Sequence, residues 1–171
     1  MKKVLLFCSL FLMLLTSVAF AAMPRDEMYV GGVGAGVTLG YVRSVCGEPM
    51  EVKRHRNEGI KSVIYIYSKA FRVVARDWAR DEKPEDELVV TGFWLSDSSV
   101  ATPSGITVGM SYENDVVSRF GAGREVVDGQ GNITYIYEEE PEIQFKFLVD
   151  KDEDTIVAIN QETGWIIVRG T

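Results

Sequence analysis

The sequence predicts an α+β fold of two tandem units, each made of a short helix packed on a four-stranded antiparallel sheet. Three observations lead to this prediction. A pattern of glycines, hydroxyl residues and valines occurs twice, the apolar residues alternate after each copy, and a small polar stretch separates the copies. The expected division is a signal peptide at 1–22, a first unit at 23–95, a linker at 96–104 and a second unit at 105–171.

A secretory signal peptide is expected at the amino end. A positive start is followed by an apolar run at 4–15 and a small-x-small pattern at 19–21, so cleavage is expected after Ala21 or Ala22. The apolar run is too short for a spanning helix. Cys8 lies inside the run rather than at the cleavage junction, which argues against a lipoprotein. We therefore expect a secreted or periplasmic protein with no stable membrane insertion.

Charge and cysteine content limit the classes of partner. The signal peptide contains two of the 18 basic residues and none of the 25 acidic ones, so the remaining chain has a formal charge of −9. An acidic chain repels nucleic-acid phosphates and anionic membrane surfaces, and neither is an expected partner. Cys46 is the only cysteine left after cleavage, which excludes an internal disulfide. It is expected either as a buried thiol or as a link to another chain.

Capping residues define the two expected helices. Thr38 and Ser111 lie where a helix should begin, and their hydroxyls can accept hydrogen bonds from unpaired backbone N–H groups. Gly47 and Gly121 follow the last apolar residue of each helix, where a left-handed conformation commonly ends a helix. The expected strands are 51–56, 60–67, 70–77 and 87–95 in the first unit and 124–127, 132–137, 142–149 and 155–160 in the second, with a further edge strand at 165–168.

Short motifs recur in the same order in both units. They are Gly36-Val37-Thr38, Val42 and Gly47-Glu48-Pro49 in the first, and Gly109-Met110-Ser111, Val116 and Gly121-Ala122-Gly123 in the second. This order resembles a superfamily that contains the secreted beta-lactamase inhibitor protein and the small outer-membrane-assembly lipoproteins of the SmpA/OmlA type. The resemblance covers nearly all of the chain after the signal peptide, with Gly123 standing where proline is expected. It implies a protein that binds other proteins on a sheet surface and catalyses nothing.

The glycine-rich stretch at 31–38 is not expected to bind a nucleotide. A phosphate-binding loop requires a lysine before its hydroxyl residue, and Val37 occupies that place. No strand-helix-strand unit of the dinucleotide-binding kind follows. We therefore expect no cofactor, and glycines that form the entry to the first helix.

No catalytic or metal site is expected. Cys46 and His55 are the residue types of a thiol–imidazole pair, which leaves a small hydrolase using Cys46 as an alternative function. A single histidine cannot supply a typical zinc site. The acidic stretch at 150–154 begins like a calcium loop, but Thr155 and Gln161 stand where glycine and glutamate are needed. Weak calcium binding there is left open.

Aromatic residues are the main candidates for partner binding, because tyrosine and tryptophan commonly anchor protein interfaces. The two Tyr-Ile-Tyr segments occupy equivalent strand positions in the two units. Their tyrosines either complete the cores or line the sheet face away from the helices as one platform. The full candidate set is Tyr65, Tyr67, Trp78, Trp94, Tyr135 and Tyr137, with Arg72 and Lys146 at the rim.

The expected function is that of an exported non-catalytic binding module. It binds a protein or a cell-envelope component through its sheet surface, with inhibition as one form of that binding. An envelope-assembly or structural factor, related to the small lipoproteins, is the alternative. The sequence leaves the identity of the partner and the oligomeric state open.

Overall fold

One eight-stranded antiparallel sheet forms the centre of the molecule. The computed structural model describes residues 22–78, 83–139 and 142–164. The strand order is β1-β2-β3-β4-β8-β7-β6-β5, so two four-stranded meanders meet where β4 pairs with β8. The strands are β1 Glu51–Asn57, β2 Ile60–Ile66, β3 Phe71–Trp78, β4 Val90–Leu95, β5 Arg124–Val127, β6 Ile133–Glu139, β7 Ile143–Asp150 and β8 Thr155–Thr163.

Helical structure is limited to short segments. Helix α1 covers Leu39–Cys46, and a π-helix at Tyr112–Val117 continues as a single α-helical turn, α2, at Ser118–Phe120. Two 3₁₀ turns lie at Arg25–Glu27 and Glu85–Glu87. Within the described ranges, no helix has the length and apolar composition needed to cross a membrane.

The predicted fold class is wrong. The sequence predicts two four-stranded sheets, whereas the structure has one, because β4 pairs with β8 from Gly92↔Glu162 to Leu95↔Ile159. Left apart, each of these strands would present an unpaired edge. A Cβ at Gly92 would lie 2.2 Å from the carbonyl oxygen of Gln161, so glycine permits the close approach of the two strands. The fold is therefore one large sheet with two short helical segments, not two tandem helix-on-sheet units.

The expected helix caps are present in both helical segments. The hydroxyls of Thr38 and Ser111 each accept a hydrogen bond from the backbone N–H three residues on. Gly47 and Gly121 end the segments with φ of 78° and 75°. The second segment has one residue more between its cap and its glycine, and winding as a π-helix over Tyr112–Val117 accommodates that residue.

The glycine-rich stretch forms a tight hairpin. Val30 and Val33 exchange both backbone hydrogen bonds, and Gly31 and Gly32 between them have φ of 54° and 78°. Positive φ at both central residues is the type I′ geometry of two-residue hairpins. Because the two valines are fully buried, the glycines serve to fold the amino-terminal segment onto the sheet.

Gln161 on β8 holds this amino-terminal segment. Its Nε2 donates to the carbonyl oxygen of Met28 at 2.8 Å, and its Oε1 accepts from the N–H of Ala35 at 2.5 Å. The glutamine is only 3% exposed. One side chain therefore satisfies a backbone group on each side of the hairpin in the protein interior.

Two tyrosines stabilise the ends of the helical segments in the same way. The Tyr67 hydroxyl donates to the carbonyl of Gly47 at 3.2 Å, and the Tyr137 hydroxyl donates to the carbonyl of Gly121 at 2.6 Å. These carbonyls belong to the group that a helix leaves unpaired at its carboxyl end. The recurrence of the tyrosines thus has a structural reason.

Most strand bounds agree with the expected ones to within one or two residues. The main differences are at β4, which begins at Val90 rather than 87, and at β8, which runs to Thr163 rather than 160. Thr102, within the expected linker, is buried. Residues 1–21 of the signal peptide expected at 1–22, and the edge strand expected at 165–168, lie outside the described residues.

Candidate functional site

The sheet has two faces of different character. On the inner face, alternate strand residues form one continuous core with α1, the π-helix and the amino-terminal hairpin. The residues between them point to the opposite side, which we call the outer face. Several of its apolar side chains are only half-buried, among them Ile64, Ile66, Trp94 and Leu148.

The repeated tyrosines all lie on the inner face. Tyr65 and Tyr137 are at most 1% exposed, and Tyr67 and Tyr135 are partly buried against the same core. Burial raises the pKa of Tyr65 and of Tyr67 to about 12 in each case. Of the two interpretations left open by the sequence, the positions of these side chains match completion of the core.

The remaining candidates divide by position. Trp94, Arg72 and Lys146 lie on the outer face, because they alternate with the core residues of β4, β3 and β7. Trp78 ends β3 opposite Ile60. The structure thus brings together three of the eight candidate residues.

These three residues belong to a single row that crosses all eight strands, which we call the outer row. Each member is the direct partner of the next in the antiparallel register. Its order is nearly symmetric about the β4–β8 pair, with a cation and then an isoleucine on each side. The members are Glu51, Ile66, Arg72, Trp94, Asn160, Lys146, Ile136 and Arg124.

A groove of about 300 Å³ lies on the outer face between Trp94 on β4 and Val126 on β5. The indole of Trp94 forms one wall, and the guanidinium of Arg72 lies over that indole, 5.6 Å from its centroid. Asn160, opposite Trp94, has a buried Oδ1 with no hydrogen-bond partner. The lining residues are Trp94, Val126, Thr134, Ile136, Lys146, Leu148, Ala158 and Asn160.

Sequence reasoning missed Asn160 and the apolar lining of the groove. The signal for the lining is the alternation within β6 and β7, where Ile136 and Leu148 are apolar residues between the core residues of those strands. Asn160 has no such signal, because its place beside Trp94 depends on the pairing of β4 with β8.

The thiol–imidazole pair considered from the sequence is not assembled. Cys46 ends α1, which packs on the inner face, whereas His55 lies on the outer face of β1 opposite Ser62. Burial raises the pKa of the half-buried Cys46 thiol, the reverse of what activates a nucleophilic cysteine.

The acidic hairpin at 150–154 uses its carboxylates within the protein. Asp154 accepts hydrogen bonds from the Ser111 hydroxyl and from the N–H of Glu113 at 3.1 Å, which helps to cap the π-helix. Asp150 accepts from the N–H of Asp152 at 2.9 Å within the turn. Across the described residues, no cluster of three or more metal-ligating side chains is found.

Comparison with solved structures finds distant likenesses, among them two bacterial proteins. No protein-family model and no curated protein matches the chain. An extracellular SCP-domain protein from Bacillus anthracis str. Ames has a TM-score of 0.45 and 16% identity over 75% of this chain. A cysteine-rich secretory protein from Staphylococcus aureus subsp. aureus Mu50 has a TM-score of 0.48 and 12% identity over 85% of this chain.

This chain spans 44% and 47% of the lengths of those two proteins. Their descriptions are extracellular and secretory. At these TM-scores the likeness carries no argument about function. The resemblance to the inhibitor and SmpA/OmlA proteins stays a prediction.

Proposed function

We propose that the protein is an exported binding module that holds another protein on the outer face of its sheet and catalyses no reaction. The observation that carries the proposal is the groove beside Trp94, where apolar side chains, cations and an unpaired amide oxygen meet. Tryptophan and arginine are the residue types most enriched at the energetic centres of interfaces. The signal-peptide pattern supports export.

The sheet suits this role because the backbone that carries the central side chains is held by pairing on both sides. Strands β3, β4, β8 and β7, which carry the centre of the outer row, are each paired on both sides. Binding to such a surface orders few groups, so less of the contact energy is lost to conformational entropy. Ile66, Trp94 and Ile136 supply the apolar contact of the row.

Affinity capture from the cell's own envelope and medium tests the proposal. The mature protein is compared with Trp94→Ala and with Met50→Ala as a matched control. Met50 is 81% exposed and lies outside the outer row, so it reports loss of an exposed apolar side chain elsewhere. We expect the same partner to be retained by the wild type and Met50→Ala and lost with Trp94→Ala.

The outcomes separate the proposal from its rivals. Full retention of every partner by Trp94→Ala refutes an outer-face site. Recovery in a membrane complex of fixed composition favours the envelope-assembly alternative. Recovery of free protein that binds one soluble partner favours the binding module.

A further inference from the structure

We propose that the groove beside Trp94, together with the adjacent Arg72, binds an extended acidic peptide segment. A carboxylate of the segment pairs with Arg72, a backbone N–H donates to Asn160, and an apolar side chain packs against Trp94. This inference rests on the proposed function, because it names the chemistry of the partner at the same face.

Arg72 is a cation without a carboxylate partner among the described residues. The other two cations of the outer row differ, since Lys146 pairs with Glu162 and Arg124 pairs with Glu138. Stacking on the indole holds the guanidinium in place. A planar guanidinium held in this way is suited to bidentate binding of a carboxylate.

Asn160 supplies an acceptor without a donor. Asn160 lines the groove, and its buried Oδ1 has no hydrogen-bond partner among the described residues, a state that costs free energy until a donor arrives. A carbonyl oxygen accepts from N–H or O–H groups. The backbone N–H of an extended peptide provides such a donor at regular spacing.

The charge of the outer row favours an acidic ligand. Of its three cations, Lys146 and Arg124 are neutralised by Glu162 and Glu138, which leaves Arg72 as the cation with no carboxylate partner among the described residues. The chain after the signal peptide is otherwise strongly acidic, with a formal charge of −9. An unneutralised guanidinium on an acidic protein favours an anionic ligand group, and this preference weakens as salt screens the charges.

The dimensions fit a peptide. Arg72 and Lys146 are three strand spacings apart, or about 14 Å, which an extended peptide of about four residues spans. Ile136, Leu148 and Ala158 offer an apolar floor for one of its side chains. A neutral glycan would leave Arg72 without a partner, so it would use only part of the site.

Selection of random peptides displayed on phage against the mature protein tests the inference. We expect the enriched sequences to place Asp or Glu beside an apolar residue. A synthetic copy of an enriched peptide should bind Arg72→Gln about tenfold more weakly than wild type. Changing the peptide's acid to its amide should give a similar loss with wild type and little further loss with Arg72→Gln.

Two further variants complete the design. Asn160→Leu keeps the volume but removes the acceptor, so it should also weaken binding several-fold. Arg76→Gln is the matched control, because Arg76 lies on the same strand and face as Arg72 but outside the outer row. It should leave the affinity within about twofold of wild type, and raised salt should weaken the wild type more than Arg72→Gln.

Failure of the inference and failure of the proposed function give different results. Peptides that depend on Trp94 but show no acid preference, or no loss with Arg72→Gln, overturn the acidic ligand and leave the outer-face function standing. If no enriched peptide depends on Trp94, the outer-face function fails as well. Binding of N-acetylglucosamine oligomers that depends on Trp94 and not on Arg72 assigns the groove to a neutral glycan and also overturns the inference.

Discussion

Replacing Gln161 with alanine should strongly destabilise the fold. The side chain is 3% exposed and hydrogen-bonds the carbonyl of Met28 and the N–H of Ala35. Alanine leaves both backbone groups buried and unpaired. Each such group costs about 1–3 kcal/mol, so the pair together gives a loss of about 2–6 kcal/mol, before any entry of water reduces it.

This loss is large against the total stability of a domain, which is about 5–15 kcal/mol. A chain of this size loses about 2–4 °C of Tm per kcal/mol, so we expect a fall of roughly 5–20 °C. Urea unfolding monitored by tryptophan fluorescence measures the free energy of unfolding. Gln144→Ala is the matched control, because Gln144 lies on the outer face of β7 and makes an exposed hydrogen bond to Glu138.

The control should change the free energy of unfolding by no more than about 0.5 kcal/mol. If Gln161→Ala lowers the free energy of unfolding by no more than Gln144→Ala does, the two hydrogen bonds of Gln161 do not stabilise the fold and the reasoning is refuted. Gln161→Glu tests the direction in which stability changes with pH. A buried carboxyl must keep its proton to donate to Met28, so its folded-state pKa is raised, and the variant should be stable in acid and lose stability as pH rises through that pKa.

Three other predictions follow from the fold. Gly92→Ala places a methyl group against the Gln161 carbonyl oxygen, so strand β4 should separate from β8 and the free energy of unfolding should fall by about 1–3 kcal/mol or more. Tyr137→Phe removes the buried hydrogen bond to Gly121 and should cost about 1–3 kcal/mol. Burial raises the pKa of Tyr65 to about 12, so the neutral phenol stabilises the fold; this contribution is full below pH 10 and is lost as pH rises toward 12.

Each of these predictions has a control. Gly129→Ala is the control for Gly92, because a Cβ at Gly129 meets nothing within 4 Å and its φ is not positive; equal effects would contradict the close-approach argument. If Tyr137→Phe keeps the wild-type free energy of unfolding in urea, the predicted cost of losing the hydrogen bond to Gly121 is contradicted. For Tyr65, the alkaline loss measured by urea unfolding between pH 9 and 12 should be smaller in Tyr65→Phe, and an unchanged loss would count against the assignment.

Local features of the fold were predictable because local physics determines them. Strand bounds follow from the alternation of apolar residues, and the caps at Thr38 and Ser111 follow from the need to pair free N–H groups at a helix start. For Gly31 and Gly32 the sequence predicts an entry to the first helix rather than a phosphate loop, and it does not predict a hairpin. The true role of the hairpin required knowing that the flanking valines are buried.

Non-local features were not predictable from the sequence. The pairing of β4 with β8 joins Trp94 to Asn160, residues that no short-range pattern connects. Gln161 occupies an inner-face position of β8, where alternation favours an apolar side chain. This exception is the sequence feature that indicates a buried hydrogen-bonding role for Gln161. From the sequence, the equivalent positions of Tyr67 and Tyr137 are compatible with a partner-binding surface on the sheet face away from the helices. In the structure both hydroxyls donate to carbonyls at helix ends.

The candidate site exists because the prediction of separate units is wrong. Trp94 and Asn160 come from β4 and β8, so the groove lies where the two meanders join. With two independent sheets, both strands would be edges, Arg72 and Lys146 would lie on different bodies, and the outer row would be broken in the middle. Gly92, two residues before Trp94, permits the close approach of the two strands. A substitution that separates these strands should therefore abolish peptide binding before it unfolds either meander, whereas a purely local site at Trp94 would survive the separation.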